Sequence, residues 1–275
     1  MPTALVTGAG RGIGQAITLR LSRAGWTVLA GVRDDVSGER LTAEDGRITP
    51  VRLDITNEAH VLALADRLPD RLDALVNNAA IGVLGPIEAV TSADLRRQFD
   101  VNVLGQVAVT QAVLPRLRAA RGRIVFISST GGRVVVPMEG AYCASKFALE
   151  GLADALRAEL RPWHIRVSVV EPGPTDTDPW REIQRIIDDM EERMSPEHRD
   201  LYGRHTAGLR SVVRRLGPRA LPPDAVARVV EQALTARRPR ARYLAGTAAH
   251  VMVAMNRVLP TRLGDAVGAR IGGID

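Results

Sequence analysis

Six short runs rich in β-branched and apolar residues recur along the chain, at 3–7, 26–32, 48–53, 72–77, 123–128 and 165–170. Between them lie segments with helical spacing, at 12–24, 57–68, 91–119 and 140–162. Strands of this kind are buried on both faces, and their alternation with helices sets them side by side in one parallel sheet covered on both sides. This alternation constrains the chain more than any other feature. It predicts an α/β fold with a doubly wound parallel sheet. Aromatic residues make up only 3% of the sequence, so the core must be built from Val, Leu, Ile and Ala. No internal repeat or low-complexity linker interrupts the pattern, and residues 1–275 are read as a single domain.

Two regions depart from the alternation. Residues 174–218 are too long for an ordinary strand-to-helix loop, and Ile183, Ile186, Ile187, Met190 and Met194 fall on one helical face within them. They predict a helical cap whose apolar stripe packs on the core or roofs an apolar substrate. The tail, 247–275, carries Val251, Met252, Met255, Val258 and Leu259 at helical spacing. That face is expected to dock on the domain or on a partner subunit.

The first strand runs into "VTGAGRGIGQAI", which opens the first helix. Gly8, Gly12 and Gly14 make a tight turn and let backbone N–H groups approach a pyrophosphate at the helix N-terminus. Strand, turn and helix in this order predict a Rossmann-type dinucleotide site. At the end of the second strand an acid would bind a ribose 2′-hydroxyl, whereas a guanidinium would bind a 2′-phosphate. Asp34 lies about 20 residues past the glycines, the distance expected of such an acid. Arg33 is placed at the strand end with Asp34 already in the loop, and Arg11 approaches from the glycine turn. Two guanidinium groups favour NADP(H) over NAD(H).

The chain has 37 Lys plus Arg, and Lys146 is its only lysine. A GC-rich coding sequence favours arginine at every neutral position, so the surviving lysine marks a place where arginine fails. It stands in "YCASK", one helical turn after Tyr142. Carbonyl reduction needs a proton donor, and a phenol with an ordinary pKa near 10 becomes useful when an adjacent ammonium stabilises phenolate. A compact ammonium with three rotatable donors also serves a ribose hydroxyl, which a planar guanidinium does not. Cys143 beside the tyrosine has no second Cys or paired His and is read as a small buried residue.

Seven elements in order, "TGAGRGIG", "LDIT", "NNAA", "VNVLG", "ISSTGG", "YCASK" and "PGPTDT", resemble the short-chain dehydrogenase/reductase family over about residues 3–180. "YCASKFALEGL" and "VEPGP" are similar to its 17β-hydroxysteroid and retinol dehydrogenase branch. Ala80 departs from the family, which usually has glycine there. The resemblance implies Tyr142 as the acid/base, Lys146 lowering its pKa and holding the nicotinamide ribose, and Ser129 polarising the substrate oxygen. Ser129 and Tyr142 would thus bind substrate, and Asn102 would hold a water of a proton relay. It carries cofactor binding onto Gly8, Gly10, Arg11, Gly12, Ile13 and Gly14. It adds Asp54 and Ile55 at the adenine, Asn78 and Ala79 near the adjacent ribose, and Thr175 and Thr177 at the carboxamide. It further implies a bulky apolar alcohol or ketone as substrate, and a homodimer or homotetramer built through 91–119 and 140–162.

Other classes are disfavoured. The net charge of +6 is spread along the chain; its densest group, "RRPRAR" at 237–242, is short and lacks interleaved aromatics, so nucleic acid is not an expected partner. No apolar run approaches the length of a membrane span, and the five scattered histidines predict no metal site. One cysteine and the absence of a signal-peptide pattern predict a cytoplasmic location. The alternative to an enzyme is a cofactor-binding regulatory or sensor protein of the same fold without turnover, which would have no need of Ser129, Tyr142 and Lys146 together.

Overall fold

The computed structural model describes residues 1–272. Seven strands form one fully parallel sheet: β1 (Thr3–Thr7), β2 (Thr27–Val32), β3 (Ile48–Arg52), β4 (Ala74–Asn77), β5 (Arg123–Ile127), β6 (Arg166–Pro172) and β7 (Arg242–Ala245). Their spatial order is β3-β2-β1-β4-β5-β6-β7. Helices fill the connections. α1 (Gly12–Arg23) follows β1, α2 (Asp35–Glu44) follows β2, and α3 (Glu58–Leu62) with α4 (Leu64–Arg67) follow β3. α5 (Ser92–Phe99) and α6 (Gln106–Ala120) follow β4, and α7 (Gly140–Glu159) follows β5. After β6 come α8 (Asp178–Arg181), α9 (Ile183–Arg193), α10 (Pro196–Leu216) and α11 (Pro223–Thr235); α12 (Thr247–Val258) and α13 (Thr261–Gly272) follow β7.

Alternation along the strands divides the core into two layers. Ala4, Val6, Val28, Ala30, Val76 and Val125 face α1 and α11, meeting Ile17, Leu21, Val226 and Val230. Leu5, Leu29, Leu75, Ile124 and Phe126 face the opposite way, onto Val109, Val113 and Leu117 of α6 and Leu149 of α7. Each fully buried Leu, Ile or Val contributes about 1.5–3 kcal/mol relative to exposure, so both faces of the sheet drive assembly. The strand order reverses between β1 and β4, and the crevice beyond their carboxyl ends is where ligands of such sheets bind.

The six expected strands form within a few residues of their predicted limits. β7 and α11 lie beyond the region where alternation was recognised, and α2 occupies what was read as a loop. The helix expected over 91–119 is interrupted by a π-helical turn, Asp100–Gly105, which contains Asn102.

The stripe of the 174–218 segment does pack, but not on the sheet. Ile187, Met190 and Met194 are buried with Leu209 and Val213 of α10 and with Met138, against Leu84 and Ala89, as a separate apolar cluster. The apolar stripe of the tail is not what meets the domain. α12 docks through Ala249 and Val253, while Val251, Met255 and Val258 are 52%, 43% and 80% exposed. On the same side, Asn256 Nδ2 donates to the Arg133 carbonyl at 2.9 Å. Among the described residues no helix is long and apolar enough to cross a membrane.

Candidate active site

The glycine turn is shaped by close approach. Gly8 and Gly12 have φ of 64° and 56°, in the left-handed region that side chains disfavour. A Cβ on Gly14 would lie 2.1 Å from the Gly8 carbonyl oxygen and 2.5 Å from Asn78 Nδ2. Asn78 ties two turns together, its Nδ2 donating to the carbonyls of Thr7 at 2.9 Å and Gly8 at 3.2 Å. The Asn78 and Ala79 amides in turn donate to Thr7 Oγ1. Asn78 therefore sets the floor of the turn, whatever it offers a ribose. From the other side Thr177 closes in, 3.2 Å from where a Cβ of Gly12 would lie, while the Thr175 hydroxyl donates to the Gly173 carbonyl. Ile13 packs against the core beneath α1. The cradle, its missing Cβ atoms and the free N-terminus of α1 fit a dinucleotide pyrophosphate.

β2 ends at Val32, so Arg33 stands just beyond the strand and is exposed. Asp34 is occupied: as N-cap of α2 its carboxylate accepts from the Ser37 amide at 2.8 Å, and that backbone hydrogen bond, foremost, holds its pKa down. Sequence reasoning missed Arg40 and Ser37. Arg40 donates to the Gly10 carbonyl, and Ser37 packs where a Cβ of Gly10 would lie. The signal was present, since "DDVSGERLTAE" opens on an Asp N-cap. On the far wall, Asp54 accepts from the Thr56 amide at 2.9 Å and the Thr56 hydroxyl at 2.7 Å. Burial pushes its carboxyl up, but these bonds and the charge of Arg33 leave it lowered. Ile55 is buried, its carbonyl 2.8 Å from where a Cβ of Gly105 would lie.

The reacting groups gather at the carboxyl end of β5. Ser129 leads into a 3₁₀ turn, Thr130–Gly132, and its Oγ accepts from the Gly131 amide at 3.0 Å. Tyr142, from the first turns of α7, stands beside it: a Cβ on Gly131 would lie 3.5 Å from Ser129 Oγ and 3.2 Å from Tyr142 Cε1. One turn on, Lys146 is 1% exposed; its Nζ donates to the Ile127 carbonyl at 2.9 Å and lies 5.7 Å from the centre of the Tyr142 ring. Burial lowers its pKa to about 8, against the opposing charge of Glu150.

In the chain by itself burial pushes the Tyr142 phenol up, the Ser129 hydroxyl opposes and the nearby Glu139 reinforces the rise. Asn102 is buried, with Oδ1 accepting from the Ile81 amide and Nδ2 donating to the Ile81 carbonyl and to Ser145 Oγ. Ser145 Oγ donates to the Tyr142 carbonyl at 2.7 Å. Both amide hydrogens are committed, so the side chain clamps the 81 loop to α7. Gln98, also missed, grips the same loop: Oε1 accepts from the Val83 amide and Nε2 donates to the Ile81 carbonyl.

Behind α7, Arg242 of the "RRPRAR" run donates to Glu150 at 3.0 Å and Asp154 at 2.7 Å, anchoring the catalytic helix to β7. Cys143 is buried, and burial pushes its thiol up, as suits an inert residue. Among the described residues no cluster has the makings of a metal site.

A family model described as short chain dehydrogenase matches residues 2–187. Retinol dehydrogenase 5 of Mus musculus is 36% identical over 275 residues, covering 95% of this chain and 86% of that protein. A short chain dehydrogenase from Burkholderia cenocepacia, solved in complex with NADP, superposes with a TM-score of 0.75 at 28% identity over 98% of this chain and 97% of that one. A 3-ketoacyl-(acyl-carrier-protein) reductase from Brucella melitensis, complexed with NADH, gives 0.72 at 25% identity over 88% and 95%. With the glycine cradle, the Ser129–Tyr142 pair and the buried Lys146 assembled in one crevice, these matches place the chain in the short-chain dehydrogenase family, as an oxidoreductase of the retinol dehydrogenase-like branch.

Proposed function

We propose that the chain is an NADP(H)-dependent oxidoreductase that interconverts a secondary alcohol and a ketone or aldehyde on a substrate with a bulky apolar body. The observation that carries this reading is the meeting of Ser129 and Tyr142 at Gly131, with the buried Lys146 ammonium 5.7 Å from the centre of the Tyr142 ring. When bound, the nicotinamide supplies or takes up the hydride. The chain's own residues handle the oxygen: Ser129 donates to it and orients it, and Tyr142 transfers the proton. A protonated phenol facing the substrate oxygen can donate to it at neutral pH, which supports carbonyl reduction. Lys146 is anchored by the Ile127 carbonyl and has further N–H donors for a ribose hydroxyl.

Preference for the 2′-phosphate rests on charge. Asp34 is tied up as a helix cap, whereas Arg11 and Arg33 are exposed at the cradle with Arg40 beside them. Of the two solved relatives above, one was complexed with NADP and one with NADH, so these residues carry the preference. Exposed Leu104 and Phe147 on the π turn and α7 support assembly into a homodimer or homotetramer.

The test is Tyr142→Phe. It should reduce NADPH-dependent turnover of a panel of apolar ketones at least 10³-fold, the upper range for a general acid of about 10²–10⁴. NADPH binding, followed by fluorescence, should stay within a few-fold of the parent. Retained turnover would overturn the assignment.

A further inference from the structure

Where the sheet ends at β7, a cavity of about 280 Å³ opens between β7, α11 and α12, well away along the strand order from the crevice between β1 and β4. Its described lining holds four arginines, Arg133, Arg240, Arg242 and Arg257, and a single carboxylate, Glu171. Two of the four are matched. Arg133 Nη1 meets Glu171 Oε1 at 3.1 Å, and Arg242 pairs with Glu150 at 3.0 Å and Asp154 at 2.7 Å while lying 3.4 Å from Glu171. The Glu171 side chain is 1% exposed, so these pairs form the inner wall. Arg240 and Arg257 are exposed, and among the described residues neither guanidinium has an ion pair or a hydrogen bond. The backbone that carries each is fixed all the same. The Arg240 amide donates to the Tyr243 hydroxyl at 2.9 Å, and its carbonyl accepts from Ser168 Oγ at 2.7 Å. Arg257 lies in the last turn of α12, which Ala249, Val253 and the bond from Asn256 to Arg133 hold in place.

An unpaired arginine on an open surface is ordinary, because water solvates it. Two brought by different elements to one concave site are not, since like charges repel and the walls of a cleft concentrate their field. The lining carboxylate does not relieve them, being held by Arg133 and Arg242. A dianion complements two unmatched positive charges, and guanidinium forks match the oxygens of a phosphate in geometry as well as in charge. Gln232 and His250 add polar groups to the lining, and Val229 and Val253 an apolar side. We infer that this cleft is a ligand site, separate from the dinucleotide cradle, for a compact phosphate dianion, free or as the head of a small phosphomonoester. Its volume falls just below the range of about 300–1,000 Å³ that suits drug-sized ligands, so the phosphate enters with a small body.

Isothermal titration calorimetry tests this and needs no turnover. Orthophosphate and glycerol 3-phosphate are titrated at pH 8, where both are dianions, into protein saturated with NADPH, so that the glycine cradle is already filled. Sodium chloride at matched ionic strength is the blank. One equivalent of each phosphate should bind. Arg240→Ala with Arg257→Ala should weaken binding at least tenfold, as loss of charge-assisted bonds requires, whereas Arg240→Lys with Arg257→Lys keeps both charges and should retain most of it. Without phosphate the thermal midpoint of the double alanine variant, followed by circular dichroism, should not fall below the parent's, which separates lost binding from a damaged fold. No heat with the parent would overturn the site. So would equal affinity in the parent and the double alanine variant, which would mark an adventitious ion only, held elsewhere on the arginine-rich surface. Phosphatidylcholine vesicles carrying phosphatidic acid distinguish a lipid headgroup: sedimentation with them that needs both arginines, while free phosphate gives no heat, would overturn the assignment to a small anion.

Discussion

Replacing Lys146 by methionine should make the protein more stable at neutral pH while removing its activity. The side chain is 1% exposed, and burial moves its pKa from the ordinary 10.5 to about 8. At about 1.36 kcal/mol per pH unit, that displacement corresponds to about 3 kcal/mol of disfavoured charge. Between pH 8 and 10.5 the folded chain has released the proton while the unfolded chain retains it, so stability rises with pH in that window; below pH 8 the full penalty applies. Methionine matches the length of the lysine stem and carries no charge. Loss of the donor to the Ile127 carbonyl offsets part of the gain, by about 1 kcal/mol, equally at every pH below 8. Urea denaturation followed by circular dichroism at pH 7, 8, 9 and 10 should therefore show the parent approaching the Lys146→Met variant by about 2–3 kcal/mol as pH rises. Parallel lines from pH 7 to 10 would refute the reasoning, since they would mean that the ammonium is not buried at a penalty.

Lys146→Arg keeps the charge but forces a larger planar group into a full cavity and loses the single bond to Ile127; kcat/KM should fall about 10- to 150-fold, from a charge-assisted bond of about 1.5–3 kcal/mol, and parity with the parent in steady-state assays would contradict this. Arg33→Ala should weaken NADPH at least tenfold and NADH less than threefold in fluorescence titrations; equal losses would point instead to Asp34 and NAD. Gly14→Ala places a Cβ 2.1 Å from the Gly8 carbonyl oxygen, so binding of both cofactors should fall below detection by calorimetry, and near-normal binding would show that the turn yields more easily than its packing implies.

Much of this protein was legible before any coordinates. Buried parallel strands are continuous apolar runs, so six of the seven strands and the order of layers followed from local composition. The glycine turn and the Tyr142–Lys146 spacing were legible because their chemistry depends on neighbours within one turn of a helix. β7 escaped because four residues at the end of an arginine-rich run become a strand only by pairing with β6. α11 was readable from Val226, Ala227, Val230 and Leu234 but lay beyond the region where alternation had been recognised.

What only the tertiary structure decided concerns groups whose environment is made by distant segments. The face of α12 that docks is the small one of Ala249 and Val253, not the stronger apolar stripe. The phenol of Tyr142 is raised because desolvation is the sum of everything packed round it, which spacing to one lysine does not reveal. Met138 is unremarkable as a letter in "VPMEGAY"; it takes a left-handed turn, φ 71°, only because Gly85 and the cap hold it there. Sequence thus determined which chemical groups are present and which lie within one helical turn of each other. Desolvation and long-range hydrogen bonds, which depend on the whole fold, determined what those groups are able to do.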